Sequence, residues 1–329
     1  MFLEKRTFCS AVFHDISAVH KEMKRKLQHI NASAITGYAA VITAAACWGA
    51  SGVFVKLIAG NETVSATALA FWRDVTTFIC LLLAGLTAFP GRIRIQRSDW
   101  RLIAGMGASL GLFHIFYNVG IMLNGAAVTT VQQAVMPAIV TIAARYLWQE
   151  PLTGRKIVAL LMAFAGTVLV AGLADLEAGG FSLSGLLIGF CVPCLYAAWN
   201  LYAKKLRMQY GALVVLIFAF GIASALLLPL QFFISQPWPI QPRTWLWFAG
   251  LIGISSLAAF FLYAVGIGRL QASIASILLM SEIAFAVFYA YLFLEERLTT
   301  SQIAGAVLVV GGVLQLLRRS QIPPLKRVA

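Results

Sequence analysis

Residues 149–168 read QEPLTGRKIVALLMAFAGTV, and residues 295–314 read EERLTTSQIAGAVLVVGGVL. Laid 146 positions apart, Glu150, Leu152, Thr153, Ile157 and Gly166 fall on Glu296, Leu298, Thr299, Ile303 and Gly312. Apolar helices share Leu and Ala through composition alone, but not a Glu-x-Leu-Thr signal at matching helix boundaries. The same displacement sets NVGIMLNGAAVTT (118–130) on AVGIGRLQASIAS (264–276), with Tyr117 on Tyr263. WGASGVFVK (48–56) meets YAAWNLYAK (196–204) at a shift of 148, a register change that loops absorb. The chain is therefore an internal repeat.

Each repeat is built from membrane spans. The 329 residues are 60% hydrophobic and 11% charged, with a mean hydropathy of +0.86. Soluble domains are nearer half apolar and a quarter charged. Ten apolar stretches are long enough to cross a bilayer: 37–58, 66–89, 101–123, 126–148, 155–174, 183–205, 212–234, 244–266, 272–294 and 299–317. Barrel strands would be about 10 residues long and alternating, so the spans read as helices. The expected fold is an all-α polytopic membrane protein with repeats at 37–174 and 183–317, between basic tails at 1–36 and 318–329. Five spans per repeat is an odd number, so the two halves enter the membrane in opposite orientations. Secondary transporters are built on this inverted plan, with a site near the midplane between the halves.

The net charge of +13 reports orientation rather than nucleic acid. With a cytoplasmic N-terminus, twenty Lys and Arg fall on the inner side, including Arg92, Arg94, Arg97, Arg101, Lys205 and Arg207. Three (Lys56, Arg243 and Arg297) fall outside. The positive-inside rule puts both termini in the cytoplasm, against anionic lipid, in a plasma membrane of bacterial inner-membrane type. Lys56 and Lys204 read as side chains snorkelling at opposite faces. Residues 1–36 read as a surface tail, or the start lies at Met23, whose basic run flanks the first span. Cys191 and Cys194 have redox-motif spacing but sit inside an apolar helix, where small residues pack.

Several motifs occur in the same order in both halves. They are an aromatic–small start to the first helix (CWGASGVFVK; YAAWNLYAKK) and a Tyr near the end of the third. The fourth helix ends in Glu-x-Leu-Thr, and the fifth is Gly-rich (AFAG; VVGG). The first half adds an Arg in the second helix (FWRDV). Over residues 37–317 the chain resembles the EamA-type transporters of the drug/metabolite transporter superfamily. That resemblance implies ten helices in two repeats around a central cavity, and transport of a small organic metabolite. It departs from the family where a Glu-Pro often marks each fourth helix. Here Met136-Pro137 stands in one half and Glu282-Ile283 in the other.

Candidate solute-binding residues are the polar and aromatic groups at mid-span. Glu282 interrupts an apolar run, at roughly 2.5–3.5 kcal/mol for a charge at a helix centre. It reads as a proton relay or counter-charge, or else as a structural carboxyl hydrogen-bonded to a neighbouring helix. Gln132 and Gln133 precede Pro137, which frees a backbone carbonyl; one reads as cavity-lining and the other as interhelical glue. His114, Tyr117 and Asn118 share one helix face, and their mirror positions include Tyr263. Trp48, Trp199 and Asn200 lie on the first helices of the two repeats, Trp48 too deep for an interfacial belt. Arg73 attracts a carboxylate or pairs with another helix. No metal site is expected, since His114 has no partner at helical spacing. Glu150 and Glu296 read as helix-end gates or caps.

The chain lacks a phosphate-binding Gly-x-x-x-x-Gly-Lys-Ser/Thr loop, so ATP is not a direct energy source and no cofactor is expected. The function expected is secondary export of an amino acid, amine or drug-like solute, with H+ as a possible coupling ion, by a monomer or homodimer. Uptake permeases and nucleotide-sugar antiporters are the alternatives within the superfamily; the latter would want more basic cavity residues than Arg73. An enzyme would need a second acid or His at the depth of His114, and no such residue is apparent in the sequence. A scaffold would tolerate apolar replacements at the midplane.

Overall fold

A computed structural model describes residues 32–60, 64–88, 93–171, 183–236, 240–295, 297 and 299–317. The described chain is helical. Helix α1 spans 32–49 and α2 Ser51–Ala59, and the two form one run, Ala32–Ala59, interrupted by a turn at Ala50. Then come α3 (Ala66–Ala88), α4 (Trp100–Gln133), α5 (Met136–Trp148) and α6 (Gly154–Val170) in the first half. The second half has α7 (Leu183–Arg207), α8 (Ala212–Leu227), α9 (Pro242–Gly250), α10 (Ala259–Arg269), α11 (Ala272–Leu279), α12 (Ser281–Leu294) and α13 (Thr300–Leu317). Seven helical stretches among the described residues are long and apolar enough to cross a membrane, and the chain is an integral membrane protein.

The first helix begins at 32, inside the stretch read as tail; residues 1–31 and 318–329 lie outside the described residues. The spans expected at 101–123 and 126–148 meet in one helical run, α4. A Cβ on Gly120 would lie 3.2 Å from Thr129 Cγ2. Nine residues of straight helix would separate them by about 13.5 Å, so the chain doubles back between these two residues. The expected span 126–148 is then broken at Ala134–Val135, where Pro137 cannot supply a backbone donor. The span 272–294 is broken at Met280 without a proline, and Ser281 Oγ donates to Leu278 O at 2.8 Å. Both breaks sit 146 positions apart, one in each repeat.

Small residues set the closest helix contacts. A Cβ on Gly166 (α6) would meet Gly305 O (α13) at 2.5 Å, and one on Gly305 would meet Gly166 O at the same distance. A Cβ on Gly312 would meet Ala159 O at 2.9 Å. Shifted by 146, the Gly166–Gly305 contact becomes Gly312–Ala159, so the pair α6–α13 contacts itself symmetrically. Backbones approach this closely only where no side chain intervenes. The core is apolar and aromatic. Trp199, Tyr263 and Phe220 are among the largest fully buried side chains.

Buried polar contacts tie Glu150 and Lys156 of the first half to the second, and a third one joins α7 to α10 within the second half. Glu150 is 7% exposed. It accepts from Ala272 N at 2.7 Å, from Ser273 N at 3.1 Å and from Ser273 Oγ, so it caps the start of α11 in the other repeat. Lys156, 4% exposed, donates to Gln271 Oε1 at 2.7 Å and Ser273 Oγ at 2.6 Å, and lies 3.7 Å from Glu150. Lys204 does not snorkel. It is 8% exposed and donates to Ile267 O (3.0 Å) and Leu270 O (2.5 Å) at the end of α10. The unpaired carbonyls of a helix C-terminus attract an ammonium more strongly than distant water does.

Candidate functional site

Arg73 comes from α3 and is half-buried. Its guanidinium reaches a π-helical stretch, Leu251–Ala258. Nε donates to Ser256 Oγ at 2.8 Å and Nη2 to Ser255 O at 3.3 Å. A π-turn loosens the regular backbone ladder and is frequent at functional sites. Ser255 Oγ in turn donates to Cys47 O at 2.9 Å, which fastens the same stretch to α1. The Arg73 guanidinium carbon also lies 6.0 Å from the Phe260 ring centroid.

Glu282 stands in the first turn of α12, where the preceding break exposes backbone donors. It is half-buried. Charges on Arg73 and Glu282 act on each other, and Glu282 acts on the hydroxyls of Tyr117 and Tyr196. These four groups, from α3, α12, α4 and α7, therefore share one electrostatic neighbourhood. Among the described residues Arg73 and Glu282 do not close to an ion pair within 4 Å. Tyr117 hydrogen-bonds Thr130 across the α4 reversal. A Cβ on Gly49 would meet Phe285 Cβ at 2.7 Å and Glu282 O at 3.0 Å, so α1 lies directly against α12.

Beside this cluster, His114 Nδ1 sits 2.8 Å from Asp74 Oδ2. Asp74 is completely buried and His114 12% exposed. Sequence reasoning missed Asp74 and treated its neighbour Arg73 as the group of interest. It also held that no second acid stands at the depth of His114; that is corrected here. The signal was available: Asp74 lies eight residues inside the start of α3, and His114 lies about as far from the α4 reversal. Tyr196, Phe113 and Phe260 were also left out of the candidate set.

An aromatic wall backs the polar groups. Phe113 stacks on Tyr196 (4.8 Å between centroids) and Tyr117 (5.6 Å), and Tyr196 stacks on Trp199 (5.8 Å). Trp48 packs edge-on against Phe260 at 4.8 Å. Trp199, Asn200 and Tyr263, named as candidates from sequence, are sealed in the core. Tyr263 Oη donates to Asn200 Oδ1, and Asn200 Nδ2 donates to Tyr196 O at 2.9 Å. Trp48 is buried at the edge of that core. Gln132 lies against Gly189 of α7 with its Oε1 buried and unpartnered, the placement of a helix-packing group. Asn118 Nδ2 is likewise buried and unpartnered, and Gln133 is half-buried on the same helix. The structure thus gathers Arg73, Tyr117, His114 and Glu282 and turns the Asn200–Tyr263 pair inward. Among the described residues no cluster of His, Cys, Asp and Glu can hold a metal ion.

A bundle of membrane-spanning helices with charged and aromatic side chains buried between them is a frame on which solute transporters are built. The pattern of the EamA-like transporter family matches residues 35–172 and again residues 183–318, and the chain belongs to that family. An uncharacterized transporter of Archaeoglobus fulgidus is 25% identical over 84% of this chain and 95% of its own. The uncharacterized transporter YwfM of Bacillus subtilis is 26% identical over 83% of this chain and 91% of its own. The uncharacterized inner membrane transporter YicL of Salmonella typhimurium is 25% identical over 83% and 92%. A solved crystal structure shares the fold at a TM-score of 0.72, with 19% identity over 87% of this chain and 96% of its own.

Proposed function

We propose that the protein is a secondary transporter that exports a small zwitterionic or cationic organic solute, an amino acid or amine, by alternating access. In this reading ten crossings form two inverted five-helix repeats, with both termini cytoplasmic in a bacterial inner membrane. The solute sits between Arg73 of the first repeat and Glu282 of the second, against Phe113, Tyr117, Tyr196 and Phe260. One observation carries it: Arg73 and Glu282 are both half-buried between helices, and no ion pair within 4 Å joins them among the described residues. A buried guanidinium and a buried carboxyl that do not pair with each other favour a ligand that brings one charge of each sign. The aromatic faces add affinity for a cationic or ring-bearing group. The membrane-enzyme alternative has the Asp74–His114 pair, but the family match points to transport.

The test is uptake by purified protein in liposomes with an amino-acid and amine panel and an imposed pH gradient. Wild type should move at least one solute. Glu282→Gln and Arg73→Gln should each reduce that flux at least tenfold. Equal flux in wild type and both variants would remove these residues from the site.

A further inference from the structure

Asp74 is fully buried, its Oδ2 is 2.8 Å from His114 Nδ1, and its Oδ1 is buried with no hydrogen-bond partner. A carboxylate half-satisfied in a membrane interior is costly, so the His114 contact has to do most of the compensation. A carboxylate only accepts, so the proton of that hydrogen bond belongs to Nδ1. The ring's other nitrogen, Nε2, is then the open position, on a side chain that keeps 12% of its exposure. Histidine is the residue that exchanges a proton between about pH 5 and 8.

We infer that Asp74 and His114 form a proton-binding site separate from Glu282, with a proton from water as its ligand. The inference that this site couples transport rests on the function proposed above; proton binding rests on the pair's geometry alone. Uptake places one proton on Nε2 from a water-borne hydronium and leaves the Nδ1–H···Oδ2 bond in place. Release returns it to water, and no other bond changes. Loading turns a single buried negative charge into a neutral ion pair. Because Arg73 is the next residue and Glu282 shares its field, the change alters the net charge around them by one. A loaded pair disfavours a cationic group beside Glu282, so a proton and a cationic solute exclude each other, which is the condition for antiport.

Arg73 stands beside Asp74 on α3 and shares its field, and Glu282 acts on Arg73 in turn. Tyr117 follows His114 by one turn on α4, and Tyr196 of α7 stacks on Phe113, the residue before His114. Helix α8, the π-helical stretch and the Leu228–Phe233 turn also pack against α3, and none carries a titratable side chain.

The chain has four histidines, the others being His14, His20 and His29. Full-length protein carrying His14→Gln, His20→Gln and His29→Gln, labelled with 15N-histidine in detergent micelles, therefore reports His114 alone. At pH 9 the spectrum should show a neutral ring with its proton on Nδ1; at pH 5 both nitrogens should be protonated. In Asp74→Asn the Nδ1 preference should be lost. A ring unchanged between pH 5 and 9, or a neutral ring protonated on Nε2, would overturn the site, and neither result depends on the Asp74 variant folding. In liposomes, the flux that remains in His114→Gln should lose its dependence on the pH gradient. Gradient dependence that survives His114→Gln overturns the coupling. A wild type that moves nothing in the panel counts against the transporter reading, while the spectra still judge the proton site.

Discussion

Gln149 and Glu295 are the two non-glycine residues with positive φ among the described residues, at 53° and 55°, and they stand 146 positions apart. Each ends the fourth helix of its repeat, where the left-handed turn lets a backbone N–H reach back to Ala144 O or Ala290 O. Both side chains are exposed. The left-handed region costs a residue with a Cβ about 1 kcal/mol, which glycine avoids. Gln149→Gly and Glu295→Gly should therefore each stabilise the protein by about that amount. Thermal unfolding in detergent would read this as a raised midpoint in both variants.

Gly166→Val should act in the opposite direction. Its side chain would have to occupy the space of Gly305 O and Val309 N, a backbone that cannot rotate away. Overpacking of this kind costs about 1–3 kcal/mol. Gly52→Val is the control, because a Cβ there meets nothing within 4 Å. The unfolding midpoint should fall for the first and hold for the second.

Glu150→Ala removes three hydrogen-bond acceptances at the start of α11 and strands Lys156. Breaking one partner of a buried charged pair costs about 3–5 kcal/mol. The double variant Glu150→Ala/Lys156→Met should recover part of that loss. Denaturant titration of the three proteins tests it, and a double variant no better than the single would refute the coupling.

Tyr210 joins two loops outside the spans. Its hydroxyl donates to Asp99 Oδ2 at 2.6 Å and accepts from Gln96 N at 3.2 Å. The hydrogen bond to Asp99, which only the neutral phenol can donate, holds Tyr210 above its ordinary value. A raised tyrosine stabilises the fold below its ordinary value near pH 10 and loses that contribution as pH climbs through the raised one. Tyr210→Phe should thus lower stability at pH 8 and flatten its decline above pH 10. Unfolding midpoints at pH 8 and pH 11 would check both.

The apolar spans, the internal repeat and the family were legible because each is written in runs of residues. Glu282 and Arg73 stood out as candidates because a charge inside such a run is conspicuous. Asp74 was not, because its meaning lies in a partner forty positions away and one helix across. Lys204 misled because a lysine near a helix end usually faces lipid headgroups; here the end of α10 lies beside it. Trp199 and Asn200 carry polar atoms at the right depth, yet depth does not tell which way a helix is turned. The break at Met280 has no proline to announce it, whereas Pro137 marked its counterpart.

The glycine seam between α6 and α13 has a mechanical consequence. With carbonyls lying where side chains would otherwise be, one helix cannot slip past the other by a turn without driving Val309 or Val170 into opposing backbone. The seam behaves as an axle: it forbids gliding and leaves pivoting. Any large rearrangement then takes up its slack at the broken helices, at Ala134–Val135 and at Met280, where Ala134 and Met280 pack in one apolar cluster, Met280 two residues ahead of Glu282.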